Sequence, residues 1–562
     1  MSQSSPDAAR AASSAAERSA ERSAEQSAEQ SADQSAPPDG VHMTHKQIVV
    51  VLSGLMLGML LAALDQTIVS TALPRITSDL GGQEHLAWVV TAYLLTSTAS
   101  TPLYGKISDL LGRKIVFQFA IVVFLIGSAL AGASQNMGEL IATRALQGLG
   151  AGGLMTLALA IIGDVIPPRE RGRYQGYFGA VFGLSSVVGP LLGGVFTEQL
   201  SWRWVFYINL PIGAVALVVT SIVLDIPFHR RDHKVDYPGA AIIVAGASAL
   251  LLALSLGGKA HNSGYAWGSP QIVGLFAIAA VLTVAFVLWE GKAPEPILPL
   301  RLFRNKVFTL ANTVGFILGF AMFGAIVYLP LYMQEVRGAS PTVSGLQLLP
   351  LMVGVLTASI GSGRIITKIG RYKMFPIIGL ALTSLGFLWM TQVKAHTGYI
   401  VLAGAMVVIG LGMGCVMQVL VLAIQNALPY ADLGVGTSSN TFFRSMGSSI
   451  GVAVFGALVT NMLTSYVVGH SSGADRGTLA SALAKGQGGG EINLPGPLRT
   501  VFDNAYVHAI NNTFLWSIPL LLIGLVLAFM IPEKRLSTRS GLGRGAAAAE
   551  AAGAEQLTPV LE

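Results

Sequence analysis

Charge is what this sequence has least of. Asp, Glu, Lys and Arg together supply 11% of its 562 residues, 52% are hydrophobic, and the mean hydropathy is +0.62. A soluble domain carries about a quarter charged residues, so a soluble globular protein is excluded and a polytopic membrane protein is implied. Cysteine is nearly absent. The single Cys415, in a Gly-rich apolar run, excludes an intrachain disulfide, offers no cysteine cluster for a metal, and reads as a small packing residue. No G-x-x-x-x-G-K-[ST] occurs, which leaves transport powered directly by ATP on this chain unsupported. The first residues lack the basic start, short apolar core and small-residue cleavage site of a secretory signal, so insertion is expected to use the first spanning helix. The net charge of +6 does not indicate nucleic acid, because the basic residues fall between apolar runs rather than along one face.

Long apolar runs are what the sequence has in abundance. Residues 1–44, with the near-repeat AERSAERSAEQSAEQSADQ, are too poor in large apolar side chains to bury a core and are expected to form a disordered tail. Beyond them lie fourteen runs of spanning length, near 48–73, 86–105, 115–133, 139–161, 174–196, 203–225, 236–256, 270–289, 308–333, 343–363, 374–391, 399–422, 440–464 and 512–531. Lys and Arg number 17 in the six loops on the side of the tail and 8 in the seven opposite loops, with Arg203 at a span edge counted in its loop, so the side of the tail is expected to be cytoplasmic. An even number of spans returns Lys534, Arg535, Arg539 and Arg544 to that same side, in agreement with their charge.

The loop at 229–238 and the stretch 290–306 divide the spans six, two and six. The expected fold class is therefore an all-α polytopic membrane protein made of two six-helix bundles plus two additional helices. The expected divisions are a cytoplasmic tail at 1–44, a first bundle at 45–228, and the two extra helices with their flanking loops at 229–306. A second bundle at 307–532 includes an external loop at 465–511, and a cytoplasmic tail follows at 533–562. GKISDLLGRK at 105–114 has a weak echo in GRIITKIGRYK at 363–373, too weak alone to establish a repeat.

The run at 48–73 carries a carboxylate, Asp65, some two-thirds of the way along and in the outer half. An ionised group inside the hydrocarbon costs about 3 kcal/mol on insertion scales, so it is rare unless it lines a cavity, pairs with a cation or moves a proton. The plain alternative is a buried acid that pins one helix. Near the outer end of the fourth span, LIATRALQGLGAGG places Arg144 with Gln147 one turn deeper. Regular helices would set Arg144 about 7 Å and Asp65 about 12 Å below the outer boundary, a gap that a guanidinium can close. Snorkelling to the interface is the alternative for Arg144. Gly148, Gly150 and Gly153 form a formal G-x-G-x-x-G, but inside an apolar helix with no preceding strand they read as close helix packing, not as a dinucleotide site.

LDQTIVSTALPRI in the first span resembles the first-helix signature of the drug:proton antiporters of the major facilitator superfamily, in the branch with fourteen transmembrane helices. Further motifs follow in the same order. GKISDLLGRK resembles the superfamily's G-x-x-x-D-x-x-G-R-[RK] loop through Gly105, Asp109, Gly112, Arg113 and Lys114. The glycines allow a tight reversal, and Asp109 can bond Arg113 or meet the free donors of a helix N-terminus. LIATRALQGLGAGG resembles the family's fourth-helix pattern. GAVFGLSSVVGPLLGG at 179–194 resembles the antiporter motif through Gly189, Pro190, Gly193 and Gly194, with Ser185 in place of its leading glycine. WRWVFYINLPIG, where Trp202 and Trp204 suit a membrane interface, also resembles the family.

The resemblance covers about residues 46–532 and implies the major facilitator fold, with a conformational latch at Gly105, Asp109, Gly112 and Arg113. It implies proton-coupled export of amphipathic drugs or antibiotics, with Asp65 and Arg144 as the coupling pair, protons as the coupling ion and no other cofactor. Gln147, Asn312, Tyr328, Gln347, Gln418 and Arg444 are candidates for a substrate cavity; Gln425 and Tyr332 share their polar character. Helix-to-helix bonding is the commoner fate of such side chains. The expected partners are small amphipathic molecules and the bilayer, the expected location the cell membrane, and the expected unit a monomer. A dedicated exporter of one metabolite or lipid, and a non-transporting receptor or scaffold, are the competing readings. FDNAYVHAI, in the loop at 465–511, reads as a short amphipathic helix.

Overall fold

A computed structural model describes residues 45–81, 86–224, 236–257, 265–471, 473–487 and 494–536. The tail expected at 1–44, nearly all of that expected at 533–562, and most of the loop at 229–238 lie outside the described residues. The described residues form one compact unit.

Each of the fourteen expected runs coincides with helix. The first group comprises α1 (His45–Leu80), α2 (Leu86–Leu111), α3 (Arg113–Ala133), α4 (Met137–Val165), α5 (Pro168–Gln199), the short α6 (Trp204–Tyr207) and α7 (Asn209–Val223). The additional pair is α8 (Tyr237–Leu256) and α9 (Pro270–Glu290). The second group comprises α10 (Lys306–Glu335), α11 (Pro341–Leu346), α12 (Leu349–Ile369), α13 (Met374–Met390), α14 (Tyr399–Ala427), α15 (Leu433–His470), α16 (Gly473–Gln487) and α17 (Gly496–Met530). Among the described residues, 12 helices are long and apolar enough to cross a membrane, with Met374–Met390 a shorter apolar helix.

The α3 helix shows why these segments suit lipid. Phe117, Ala120, Ile121, Phe124 and Ala131 are buried, yet the opposite stripe, Ile115, Phe119, Val122, Ile126 and Leu130, is equally apolar and exposed. A helix apolar all round has no face meant for water. Between helices in lipid, close contact replaces the hydrophobic drive, and small residues provide it. A Cβ on Gly148 would collide with Tyr93 and Thr96 of α2, and one on Gly150 with Ala120 and Phe124 of α3. The formal G-x-G-x-x-G is thus a packing device.

The two groups pack by one plan. In the first, α1 packs on α5 and α7, while α4 packs on α2 and α3. In the second, α10 packs on α15 and α17, while α14 packs on α12 and α13. The groups then meet crosswise, α2 on α15 and α5 on α12. This is the arrangement of a parallel repeat, and the faint sequence echo falls where it acts. A Cβ on Gly105 would collide with Gly434 and Ser438 of α15, and one on Gly363 with the Gly172 backbone of α5. Gly112 and Gly370, at matching places in the echo, hold φ of 95° and 74°, values open to glycine and costly for other residues.

The additional pair lies against α2 and α15 through α8. The stretch 291–305 that follows it is tied to both groups: Lys106 of α2 pairs with Glu295 at 2.8 Å, and Arg301 pairs with Asp432, next to α15, at 2.7 Å.

The stretch 465–511 differs from the expected loop. The α15 helix continues to His470, α16 follows, and FDNAYVHAI opens the 35-residue α17 rather than forming a helix of its own. The reason is the absence of a breaker between it and the last span: Pro495 precedes the helix, and Phe502, Tyr506 and Ile510, at helical spacing, are buried.

Candidate functional site

The position of Arg144 is set from the start of α4. The Asn136 side chain accepts from Glu139 N at 2.9 Å, and the Glu139 carboxylate accepts from Gln135 N at 2.8 Å, a reciprocal cap that fixes where the helix begins. Arg144 and Gln147, one turn apart on that helix, then face α1.

Asp65, Arg144 and Gln147 are fully or almost fully buried. Arg144 Nη1 lies 2.5 Å from Asp65 Oδ2. Gln147 Nε2 donates to Asp65 Oδ1 at 2.8 Å, and its own Oε1 accepts from Arg144 at 2.6 Å. Arg144 Nε donates to Val89 O at 3.2 Å, and the guanidinium lies 4.2 Å from the centre of the Tyr93 ring, where the π face attracts a cation. Three residues that sequence reasoning left without a role complete the site. Asn209 Nδ2 donates to Asp65 Oδ1 at 3.3 Å and to Ser128 Oγ at 2.9 Å, Gln147 Nε2 reaches Ser128 at 3.1 Å, and Ser128 in turn donates to Phe206 O at 2.9 Å. Asn209 stands in plain view in the run WRWVFYINLPIG, the one amide there. Gln147, expected to line a substrate cavity, instead holds the carboxylate.

The Gly-Pro run at 179–194 packs on the helix that carries Asp65. A Cβ on Gly189 or Gly193 would collide with Thr67 or Thr71 of α1, whereas Gly194 faces open space. Thr67 donates to Ser185 O at 2.9 Å. Trp202, expected at an interface, is buried and donates to Asp79 at 3.1 Å, while Trp204 is exposed.

At the other end of the same group, Arg113 bridges two acids. It pairs with Asp109 at 2.5 Å and with the fully buried Asp164 at 2.7 Å, and it also bonds Ser108. Asp109 Oδ2 accepts from Val435 N at 3.2 Å. The carboxylate thus performs both tasks open to it from the sequence, an ion pair and an anion at a helix N-terminus, and the helix belongs to the other group. Asp109 lies beyond the run read at 86–105, and burial pushes its carboxyl up to about 6, against the pull of Arg113. Asp164 was missed, although LALAIIGDVIP offers the same signal as Asp65, a lone acid closing an apolar run.

The groups are joined at this end by further bonds. Arg169 Nε donates to Thr367 O at 3.3 Å, Arg171 Nη1 to Gln425 Oε1 at 3.2 Å, and Gln425 Nε2 to Leu159 O at 3.0 Å. Thr367 occupies the place of Asp109 in the echo, so the second copy uses a backbone carbonyl where the first uses a carboxylate.

The remaining cavity candidates are dispersed. Asn312 is buried and accepts from Asn440 at 3.4 Å; its amide nitrogen has no partner among the described residues. Tyr328 is buried near Gly456. Gln347 sits between α11 and α12, where its carbonyl accepts from Tyr399 at 3.1 Å. Gln418 and Arg444 are half-buried.

The chain is 42% identical over 469 residues to the multidrug transporter protein MdtP of Bacillus subtilis, covering 82% of this chain and 85% of that one. It is 38% identical over 489 residues to multidrug resistance protein 3 of the same organism, covering 85% and 94%. Among solved structures, the proton:xylose symporter XylE superposes with a TM-score of 0.58 at 15% identity, covering 90% of this chain and 100% of that one. Residues 55–452 match the Major Facilitator Superfamily. With that match, those relatives and that fold, the chain belongs to the Major Facilitator Superfamily and is a multi-pass membrane transporter.

Proposed function

We propose that this transporter is a proton-coupled antiporter that expels amphipathic small molecules, drugs or antibiotics among them, across the cytoplasmic membrane. In this reading the chain crosses fourteen times, works as a monomer with both termini in the cytoplasm, and uses protons as its only coupling ion. The observation that carries it is the ion pair of Asp65 with Arg144, buried in the first group and away from any surface. Such a pair is weak evidence of stability, because desolvation opposes the attraction. Inside a bilayer it marks function by default.

In this reading a route runs from that pair to the latch at Asp109. Protonation of Asp65 removes the charge that holds Arg144 and leaves Gln147 and Asn209 facing a neutral acid. The α1 helix carrying Asp65 is seated on α5 through Thr67 and Thr71 against Gly189 and Gly193, and α5 runs on to the seam where Gly172 meets Gly363. A shift of α1 therefore bears on the seam without a flexible link. A proton loaded from outside and released inside would drive cargo the other way, with Asp109 and Val435 parting on each cycle. The relatives named as multidrug proteins support the choice of cargo.

The test is transport in everted vesicles. Asp65→Asn should abolish uphill efflux and substrate-induced proton release per folded transporter, and Asp65→Glu should retain part of both. Uphill efflux by the asparagine variant that an uncoupler still collapses would place coupling elsewhere.

A further inference from the structure

One cation within a span takes no part in this machinery. Arg444 lies on α15 between Asn440, which reaches Ala311 and Asn312 of α10, and Ser448, which donates to Gly319 O at 3.3 Å. Its backbone carbonyl sits so close to Gly319 that a Cβ there would collide. The guanidinium is half-buried. Arg113 and Arg144 each have carboxylates, whereas Arg444 has no ion pair, no side-chain hydrogen bond and no charged neighbour among the described residues. Among the helices packed around it, α12, α13 and α14 contain no Asp or Glu, α10 has only Glu335 at its far end, and α15 has none after Asp432; the acids of α2, α4 and α17 are engaged elsewhere, Asp109 and Asp164 with Arg113, Asp503 with Arg499, and Glu139 in the cap of α4. A lone charge within a span costs about 3 kcal/mol, so this position calls for a counter-ion that the described residues do not provide.

Two further polar groups stand at the same level. Gln425 Nε2 donates both to Thr437 Oγ1 of α15 at 3.1 Å and to Leu159 O of α4, which fixes the register of three helices where the two groups meet. Two turns above that contact, about 10.5 Å along each helix, α15 brings Arg444 and the antiparallel α14 brings Gln418. On the face of α4 that meets Gln425 through Gly163, Thr156 comes two turns back. Gln418 Oε1 and Thr156 Oγ1 are buried polar atoms without a partner among the described residues, a state that costs about 1–3 kcal/mol each until something bonds them.

We propose that Arg444, with Gln418 and Thr156 at the same level, is an anion-recognising subsite on the substrate path, so that the preferred cargo joins an apolar body to a carboxylate. A guanidinium matches a carboxylate with two parallel bonds, and the amide and hydroxyl complete the bonding of a group that lies against them. A cationic drug would find no counter-charge at this level, and Asp65 is already occupied by Arg144, Gln147 and Asn209. This assignment rests on the export reading above.

The test uses two dyes that share a xanthene ring, fluorescein, which bears a carboxylate, and a cationic rhodamine ethyl ester. Full-length protein is reconstituted in phosphatidylcholine, so that no anionic lipid competes, and transport is driven by an imposed proton gradient. Arg444→Gln should lower the ratio of fluorescein to rhodamine transport about tenfold, the size of one charge-assisted contact. Arg444→Lys should restore part of it, and Gln418→Leu should raise the KM for fluorescein more than it lowers kcat. An unchanged ratio in Arg444→Gln, or no rescue by lysine, overturns the proposal. Thermal stabilisation of the purified transporter by fluorescein separates the two readings. Stabilisation that Arg444→Gln removes, without uphill transport of either dye, upholds the subsite and defeats the export reading; stabilisation equal in wild type and Arg444→Gln defeats the subsite. Repeating the stabilisation measurement with phosphatidylglycerol present distinguishes an anionic lipid: competition by that lipid in the absence of any fluorescein transport would mean that the site holds a headgroup rather than cargo, and would overturn it.

Discussion

Neutralising Asp65 should destabilise this protein more than its small change in volume suggests. The carboxylate offers one oxygen to Arg144 and the other to Gln147 and Asn209, all three of them donors. An asparagine has only one oxygen, so whichever way it turns, its amide hydrogens face a donor. If the oxygen keeps Arg144, Gln147 and Asn209 lose a partner but retain Ser128; if it turns to them, the guanidinium loses its acceptor. Either way the positive charge of Arg144 stays buried without an anion. Removing one member of a buried pair costs about 3–5 kcal/mol, and a stranded donor about 1–3 kcal/mol within that total. Arg144→Met should cost a similar amount by leaving Asp65 unpaired. The double variant Asp65→Leu with Arg144→Met removes both charges, keeps the Ser128 bonds of Gln147 and Asn209, and should lose less than either single change. The assay is reversible unfolding in mixed micelles of wild type and the three variants, with Asp65→Leu added as the single change that closes a thermodynamic cycle with Arg144→Met and the double variant. If Asp65→Asn unfolds within about 1 kcal/mol of wild type, the Tyr93 ring and the Gln147 oxygen suffice for Arg144, and the reasoning fails. The cycle also dictates that transport by these variants be normalised to folded protein.

Two further expectations concern the gate. Asp109 in the closed arrangement holds its proton up to about pH 6, and in an open, hydrated arrangement it would return to the ordinary carboxylate range near 4. The closed form binds the extra proton, so acidification from about pH 6 to pH 4 should shift the population toward closure, and alkalinisation through that window should release it. Spin-label distances across the α2 and α15 seam measure it, and Asp109→Asn should abolish the pH dependence; a slope preserved in that variant would place the titrating group elsewhere. Gly363→Val puts a side chain into the Gly172 backbone, so it should hold the seam apart, raise thiol labelling of a cysteine at Gln425 and lower transport severalfold. Normal labelling would show that the helices slide to make room.

Much of the site was readable residue by residue because single positions were out of keeping with their surroundings. Asp65 and Arg144 are charges in apolar runs, and helical rise alone brought them within reach of one another; they lie 2.5 Å apart. Glycines at fixed spacing promised close helices, and Gly105, Gly148 and Gly189 each stand where a methyl group would strike a neighbour. Ser128 and Tyr93 carried no such signal, since a serine or tyrosine within a span is common, and their roles exist only because α3 and α2 bring them beside α4. Gln147 was misjudged for the same reason: its type allowed a cavity or a partner, and only the position of α1 chose the partner.

The sequence by itself determined that the chain is an all-α membrane protein, where its helices lie, and which few residues are polar within them. These follow from composition and period, because each helix satisfies its own backbone and meets lipid with whatever side chains it carries. Only the tertiary structure decided which helices touch. The crosswise packing of α2 on α15 and α5 on α12, the bond from Asp109 to the start of α15, and the isolation of Arg444 depend on contacts between residues hundreds of positions apart. Such contacts are fixed by the shapes of whole helix faces, which no local run of residues encodes.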